Sequence, residues 1–539
     1  MLSVSHRRVT LLVRRILLAA FAVFAALPGG FGQVNVTTYH YDNIRSGQNL
    51  HETTLTASVV DVKTFGKLFS QPVDGQVYAE PLVLYNLQIP GKGEHTVVYV
   101  ATENDSVYAF DGNNNTGINA TPLWHTSFID PAKGITPVPS TDLGTIAIQP
   151  KIGVTGTPVI DPNTKALYVV AATKENGAYF QRLHALDVTS GKELFGGPVT
   201  IAATVSGTGS GSSGGKLSFD PFRSNQRPGL LLVNGVVYIS WASHGLENQY
   251  PYHGWVIGYD ENTLKQTSAY CATANGDQGG IWQSGDGLAA DNLGNIFFMT
   301  GNGTFDANTG GSDYGMSYMK LSSTSGLEVA DYFTPYNAVQ LSNDDQDLGS
   351  GGALLLPYQN GVTFPHLGLG AGKNGVIYLL NRDGMGHFGQ KNNSQIVQQI
   401  VNAFNTHALY STPAYWQENL YFWAANDYLR IFKMSGGLIV TTPVATSSFI
   451  LSSPGATPVV SANNTTNGIL WALDTSGSLL APAVLHALDP QTATELYNSS
   501  QAGNRDTAGN AVKFTVPTVA NGKVYVGTET ELNVYGLLP

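Results

Sequence analysis

Short apolar runs centred on an aromatic residue recur along the whole chain, separated by glycine, proline and asparagine. Val98-Tyr99-Val100 is followed by Val107-Tyr108-Ala109-Phe110-Asp111, and Leu167-Tyr168-Val169 by Leu183-His184-Ala185-Leu186-Asp187. The same double beat returns at Val237-Tyr238-Ile239 with 255–260, at Ile296-Phe297-Phe298 with 318–321, and at Ile377-Tyr378-Leu379. It closes with Leu420-Tyr421-Phe422 and 429–432, Ile469-Leu470-Trp471 and 485–489, then Val524-Tyr525-Val526 and 532–535. Runs this short, rich in Val, Ile, Tyr and Phe and bounded by turn residues, predict strands. A proline opens several units (Pro158, Pro228, Pro413, Pro458, Pro517), a position where a strand loses no ladder donor. Asn234-Gly235 and Asn521-Gly522 supply hairpin turns.

Eight such units predict an all-β fold, an eight-bladed β-propeller of four-stranded antiparallel blades. Each unit has roughly 63 residues, more than a blade needs, so long loops must decorate one face. Residues 34–73 precede the first unit, and they are expected to complete the last blade beside the C-terminal strand. Closure of that kind removes the exposed edges that promote aggregation. Ile396, Val397, Ile400, Val401 and Phe404 have helical spacing and predict one short helix between blades. The Gly/Ser tract 208–215 reads as a flexible inter-blade loop, and it lacks the Lys-Ser/Thr ending of a phosphate loop.

Composition narrows the function. Charged residues are only 12% and aromatics 10%, which excludes a disordered chain or a coiled coil. The net charge is −11 with no basic cluster beyond the N-terminus, so nucleic acid is not an expected partner. Arg7, Arg8, Arg14 and Arg15, the apolar run 16–27 and small residues near Gly30 read as a signal peptide over 1–32. The expectation is therefore a periplasmic or secreted protein, with 33–539 as a single domain and no stable transmembrane segment after signal removal. Cys271 is the only cysteine, which excludes an intrachain disulfide and a Cys-x-x-Cys-His haem site. His184 and His486 share one repeat position, which favours packing over catalysis. His244 and His253 lie in one loop with no third metal ligand evident.

Residues 185–195 (Ala-Leu-Asp-Val-Thr-Ser-Gly-Lys-Glu-Leu-Phe) resemble the tryptophan-docking repeat of quinoprotein dehydrogenases, with Phe195 at the Trp position. Residues 487–497 repeat it with Tyr497 at that position, and 109–124 keep Ala109-Phe110-Asp111 and Leu123-Trp124. The lead-in 42–49 and the stretch 74–81 are also similar to that family. Four further matches concern its site. Phe298-Met299-Thr300-Gly301-Asn302-Gly303 resembles the segment whose Asn binds calcium. Asp344-Asp345-Gln346-Asp347 falls where the second Asp of an Asp-x-x-Asp pair is the catalytic base. Residues 372–382 resemble the stretch whose basic residue meets the quinone carbonyl, here Lys373, and Ser243-His244-Gly245-Leu246-Glu247 resembles the loop that gives a glutamate to the calcium. Trp282 is placed to lie beneath a planar cofactor.

The resemblance implies Asp347 and Lys373 as catalytic residues, Lys373 and Trp282 against the cofactor, and Glu247, Asn302 and Asp347 on the metal. It implies pyrroloquinoline quinone (PQQ) and calcium without haem, an alcohol or sugar substrate, and a separate electron-acceptor protein. Hard oxygen ligands suit calcium, and a carboxylate nearby suits removal of an alcohol proton. The repeats alone carry the fold only, and a non-catalytic propeller acting as an envelope scaffold or a carbohydrate- or peptide-binding module stays open beside the enzyme. Convergence of Glu247, Asn302, Asp347 and Lys373 on one axial pocket separates the two.

Overall fold

A computed structural model describes residues 33–539 except 145–146 and 246–250. The expected signal peptide lies outside the described residues. Among the described residues eight small, mainly antiparallel sheets follow one another round a ring, with a separate two-stranded hairpin beside them. Blade 1 is built from Leu82–Ile89, Gly93–Thr102, Ser106–Asp111 and Trp124–Ser127, each paired with the next. In seven blades the two beats read from the sequence are the second and third strands, as in the pairing of Val98 with Phe110 and of Leu167 with Leu186. In blade 5 the single beat 377–379 is the third strand, and Leu367–Ala371 is the second. Each opening proline stands at or near the start of an innermost strand: Pro158 before Val159–Asp161, Pro413 before Ala414–Trp416, Pro458 before Val459–Asn463, Pro517 before Thr518–Ala520.

The ring closes as a strand exchange between the chain's two ends. Phe65–Pro72 pairs antiparallel with the last strand Glu531–Leu537, from Phe65 opposite Leu537 to Pro72 opposite Glu531. Rings then lock neighbouring blades. Phe65 lies edge-on to Tyr497 at 5.0 Å and 5.5 Å from Trp471, and its burial contributes roughly 1.5–3 kcal/mol. Tyr497 is the residue at the docking repeat's Trp position, so an aromatic swap there keeps the packing. In blade 1 the indole of Trp124 donates to the Val188 carbonyl of blade 2 at 2.9 Å.

Only part of the lead-in behaves as expected. Residues 65–72 complete the last blade, but 36–49 instead wind round one end of the channel and touch every blade in turn. Val83 and Ile160 donate to the carbonyls of Val36 and Thr37, Ala290 to Asn43, Leu355 to Ile44, Tyr415 to Ser46 and Val460 to Gly47. The Asn43 amide reaches Leu232, and Val519 donates to the Tyr41 hydroxyl. Arg45 is fully buried at the centre and donates to Leu288, Tyr39 and the Thr38 hydroxyl. Glycine is required at 47: φ is +67° and a Cβ would stand 2.4 Å from the His40 ring. The strand-rich innermost edges carry free donors on the channel side, and this segment satisfies them.

Two local expectations fail. The region 396–404 holds no helix. Gln398–Ile400 is the outer strand of blade 5, paired with 377–379, and a turn follows. A buried Ile400 in a strand and a buried Phe404 within the turn reproduce a four-residue spacing without helical geometry. The Gly/Ser tract is pinned, not loose. It lies in a hairpin of Thr204–Ser206 with Lys216–Ser218, and Gly209 and Ser210 donate to Ala274 and Gly276. Its glycines permit close backbone approach: a Cβ on Gly209 would lie 2.4 Å from the Gly276 oxygen.

Candidate active site

The end of the channel away from the plug opens into a cavity of about 280 Å³. Ser284, Ser350, Tyr410 and Phe514 line it from segments that lead into the innermost strands of blades 4, 5, 6 and 8. Arg45 meets the same segments farther in, at Leu288, so the plug lies beneath the cavity. At this size the cavity sits near the lower bound of small-molecule pockets, ~300 Å³, and excludes a polymer from its interior.

Trp282, Asp347 and Lys373 all line this cavity. The Lys373 ammonium lies 2.6 Å from Asp347 Oδ2 and 2.8 Å from Asp345 Oδ1. Burial works against that charge, yet Asp347 and Asp345 outweigh it and hold the lysine well above its ordinary pKa. Asp347 is buried, and its Oδ1 accepts the Asn302 backbone N–H at 2.7 Å. The Asn302 amide nitrogen donates to Asp345 Oδ1 at 2.8 Å. Its Oδ1 is buried and has no hydrogen-bond partner among the described residues. Gly301 makes this assembly possible. A Cβ there would stand 2.3 Å from Asp347 Oδ1 and 3.0 Å from Trp282 Cδ1.

Trp282 is held by a strained turn. Gln283 and Ser284 have φ of +45° and +52°, conformations that cost roughly 1–3 kcal/mol each. They are fixed by hydrogen bonds from Met299 N to Gln283 Oε1 and from Ser284 Oγ to the Ser350 carbonyl. Tyr252 meets the indole edge-on at 6.5 Å.

The residues present fit a hard cation. A buried, unpartnered amide oxygen costs about 1–3 kcal/mol if it stays so, and it stands beside two carboxylates. Among the described residues no three His, Cys, Asp or Glu side chains form a metal cluster by themselves, so a further ligand is needed. Glu247 lies outside the described residues. Of the expected quartet, Asp347 and Lys373 line the cavity, and Asn302 is hydrogen-bonded to Asp347 and Asp345.

Other expectations resolve structurally. His184 and His486 pair with Glu193 and Glu495 at 2.5 and 2.7 Å and stack on Phe128 and Phe449, a repeated packing device. His253 is bonded to Thr273 Oγ1 and the Ser210 carbonyl. His244 lines the cavity, where burial pushes its pKa down to about 4 and leaves it neutral.

Sequence reasoning missed Arg227, Lys513, Phe514 and Tyr410, which also line the cavity. A usable signal existed. Arg227 directly precedes Pro228, Phe514 stands three residues before Pro517, and Tyr410 three before Pro413. Residues just upstream of an innermost strand ring the channel mouth.

No protein-family model matches this chain, and no curated protein matches it. Solved structures do. A quinohemoprotein alcohol dehydrogenase from Comamonas testosteroni matches with a TM-score of 0.59 at 14% identity, over 93% of this chain and 80% of that one. A europium-containing methanol dehydrogenase matches with a TM-score of 0.59 at 13% identity, over 93% and 98%. A quinohemoprotein alcohol dehydrogenase from Pseudomonas putida HK5 gives 0.54 at 13%, over 93% and 80%. The chain has the eight-bladed fold of these quinoproteins.

Proposed function

We propose that this chain is an exported quinoprotein-type oxidoreductase that oxidises an alcohol or sugar with PQQ and calcium and passes electrons to a separate acceptor. The observation that carries the reading is the Asn302 Oδ1, unpartnered among the described residues, on a residue hydrogen-bonded to Asp347, while Asp347, Lys373 and Trp282 line one cavity. Asn302 and Asp347, with Glu247, would hold the cation, while Trp282 and Lys373 would face the quinone. Bound there, the two would supply a hydride acceptor and a Lewis acid. The protein's own part is placement and proton transfer. Asp347 accepts the substrate hydroxyl proton, and its position is set by the Asn302 N–H and Lys373. The Lys373 charge, kept by two carboxylates, opposes negative charge that develops near its Nζ. The plug at 36–49 lies beneath the cavity.

The test is to add PQQ with calcium, or with europium as in the methanol dehydrogenase, to purified protein, and to follow dye reduction with a panel of alcohols and sugars. Turnover is expected, and Asp347→Ala should lower kcat about 100- to 10,000-fold. Failure to take up the quinone with either cation would remove this reading.

A further inference from the structure

The cavity has a second wall that the proposed chemistry does not use. Arg227 is 8% exposed, and its guanidinium stacks 4.5 Å from the Phe514 ring and 5.6 Å from Tyr78. Lys513 Nζ lies 5.7 Å from the same Phe514 ring. Phe514 has a φ of +68°, and its ring meets both cations. Among the described residues neither cation has an ion pair, and neither side chain has a recorded hydrogen bond. The carboxyl that feels Arg227 is Glu103, and burial pushes its pKa up to about 7, so it is a weak counter-charge at neutral pH. Burial together with the neighbouring Arg227 brings Lys513 down to about 8.

Two adjacent cations, one buried and one half-buried, with no ion-paired anion among the described residues are costly, since a buried charge is tolerated when it is paired. Aromatic stacking recovers part of that cost, about 0.5–2 kcal/mol per contact, and leaves the N–H donors unspent. A guanidinium fork matches a carboxylate in two-point geometry, and an adjacent ammonium adds a point charge. We infer that Arg227 and Lys513 form a carboxylate subsite in this cavity, apart from the Asp347–Lys373 wall. The carboxylate can come from the quinone cofactor, which carries several, or from an acidic alcohol such as a hydroxy acid or sugar acid. The choice between those sources rests on the quinoprotein reading; the subsite does not.

Calorimetric titration with PQQ in calcium, with glycerate and with glycerol separates the cases, using wild type, Arg227→Gln and Lys513→Gln. Arg227→Gln is expected to weaken at least one carboxylate-bearing probe about 10- to 100-fold and to leave glycerol unchanged. Loss confined to PQQ assigns the wall to the cofactor, and loss for glycerate assigns it to the substrate. Glycerate binding without any quinone binding keeps the subsite and removes the quinoprotein reading. The inference is overturned if wild type binds neither carboxylate, or if both variants bind them as wild type does. Should Arg227→Gln melt too early to titrate, Lys513→Gln on a half-buried side chain reads the same wall.

Discussion

The two walls of the cavity handle charge in opposite ways. On one, Lys373 is clasped by Asp345 and Asp347 at 2.8 and 2.6 Å, and Asp347 is also fixed by a backbone donor. On the other, Arg227 and Lys513 rest on aromatic faces with no carboxylate within ion-pair distance among the described residues. A paired wall holds its atoms in place before any ligand arrives, which is what positioning of reacting groups requires. An unpaired wall stores an unmet electrostatic demand that a ligand satisfies. On the proposed function and the inferred subsite, catalysis and recognition are thereby separated within one small cavity.

The sharpest way to break the comparison is Gly301→Ala. The added methyl group collides with Asp347 Oδ1 at 2.3 Å and crowds Trp282 at 3.0 Å, and neither is on the cationic wall. Gly301 has no left-handed backbone to lose, so the effect is one of space. Displacement by about 1 Å should cost kcat/KM about 100-fold or more. Glycerate affinity should stay as in wild type. An equal loss in both measurements would show that the walls move as one.

Asn302→Ala comes next. It deletes the orphaned oxygen and leaves the backbone donor to Asp347 in place. Calcium affinity by titration should fall at least about 100-fold, more than is usual for a residue that only supports a ligand. The melting temperature without added cation should change little, because the lost amide bond goes to Asp345, whose side chain is 69% exposed. Unaltered calcium affinity would take Asn302 out of the cation site.

The paired wall was legible in the sequence and the unpaired one was not, for a physical reason. Asp347, Lys373, Asn302 and Trp282 stand in local stretches whose order along the chain can be matched one by one. Arg227 and Phe514 meet across the ring from blades 3 and 8, and only closure of the ring brings 227 and 514 together. The fold itself was readable because each blade repeats a local pattern. The plug was not, since its bonds from residue 36 to residue 49 reach eight separate blades and leave no periodic trace. The Gly/Ser tract misled for the converse reason. Glycine marks both mobility and close packing, and here Gly209 packs on Gly276.

The smallest effect, and the one specific to the cationic wall, is its response to pH. Lys513 holds its proton below about 8 and loses it above. Affinity for a carboxylate should therefore fall as pH rises from 7 to 9, by at most about tenfold, since Arg227 remains charged throughout. The other groups around this wall set the background. His244 is already neutral, with its pKa near 4. Tyr78 and Tyr410 are held above the ordinary tyrosine range by burial and stay neutral. Lys373 keeps its charge between Asp345 and Asp347. Glu103 ionises near 7 and acts in the same direction as Lys513, because a new negative charge near Arg227 opposes an incoming anion. Lys513→Gln separates the two contributions. The variant should keep the shallow step near pH 7 and lose the steeper one near 8. A wild-type profile that is flat from 7 to 9 would mean that Lys513 faces away from the bound carboxylate, and Arg227 would then stand alone.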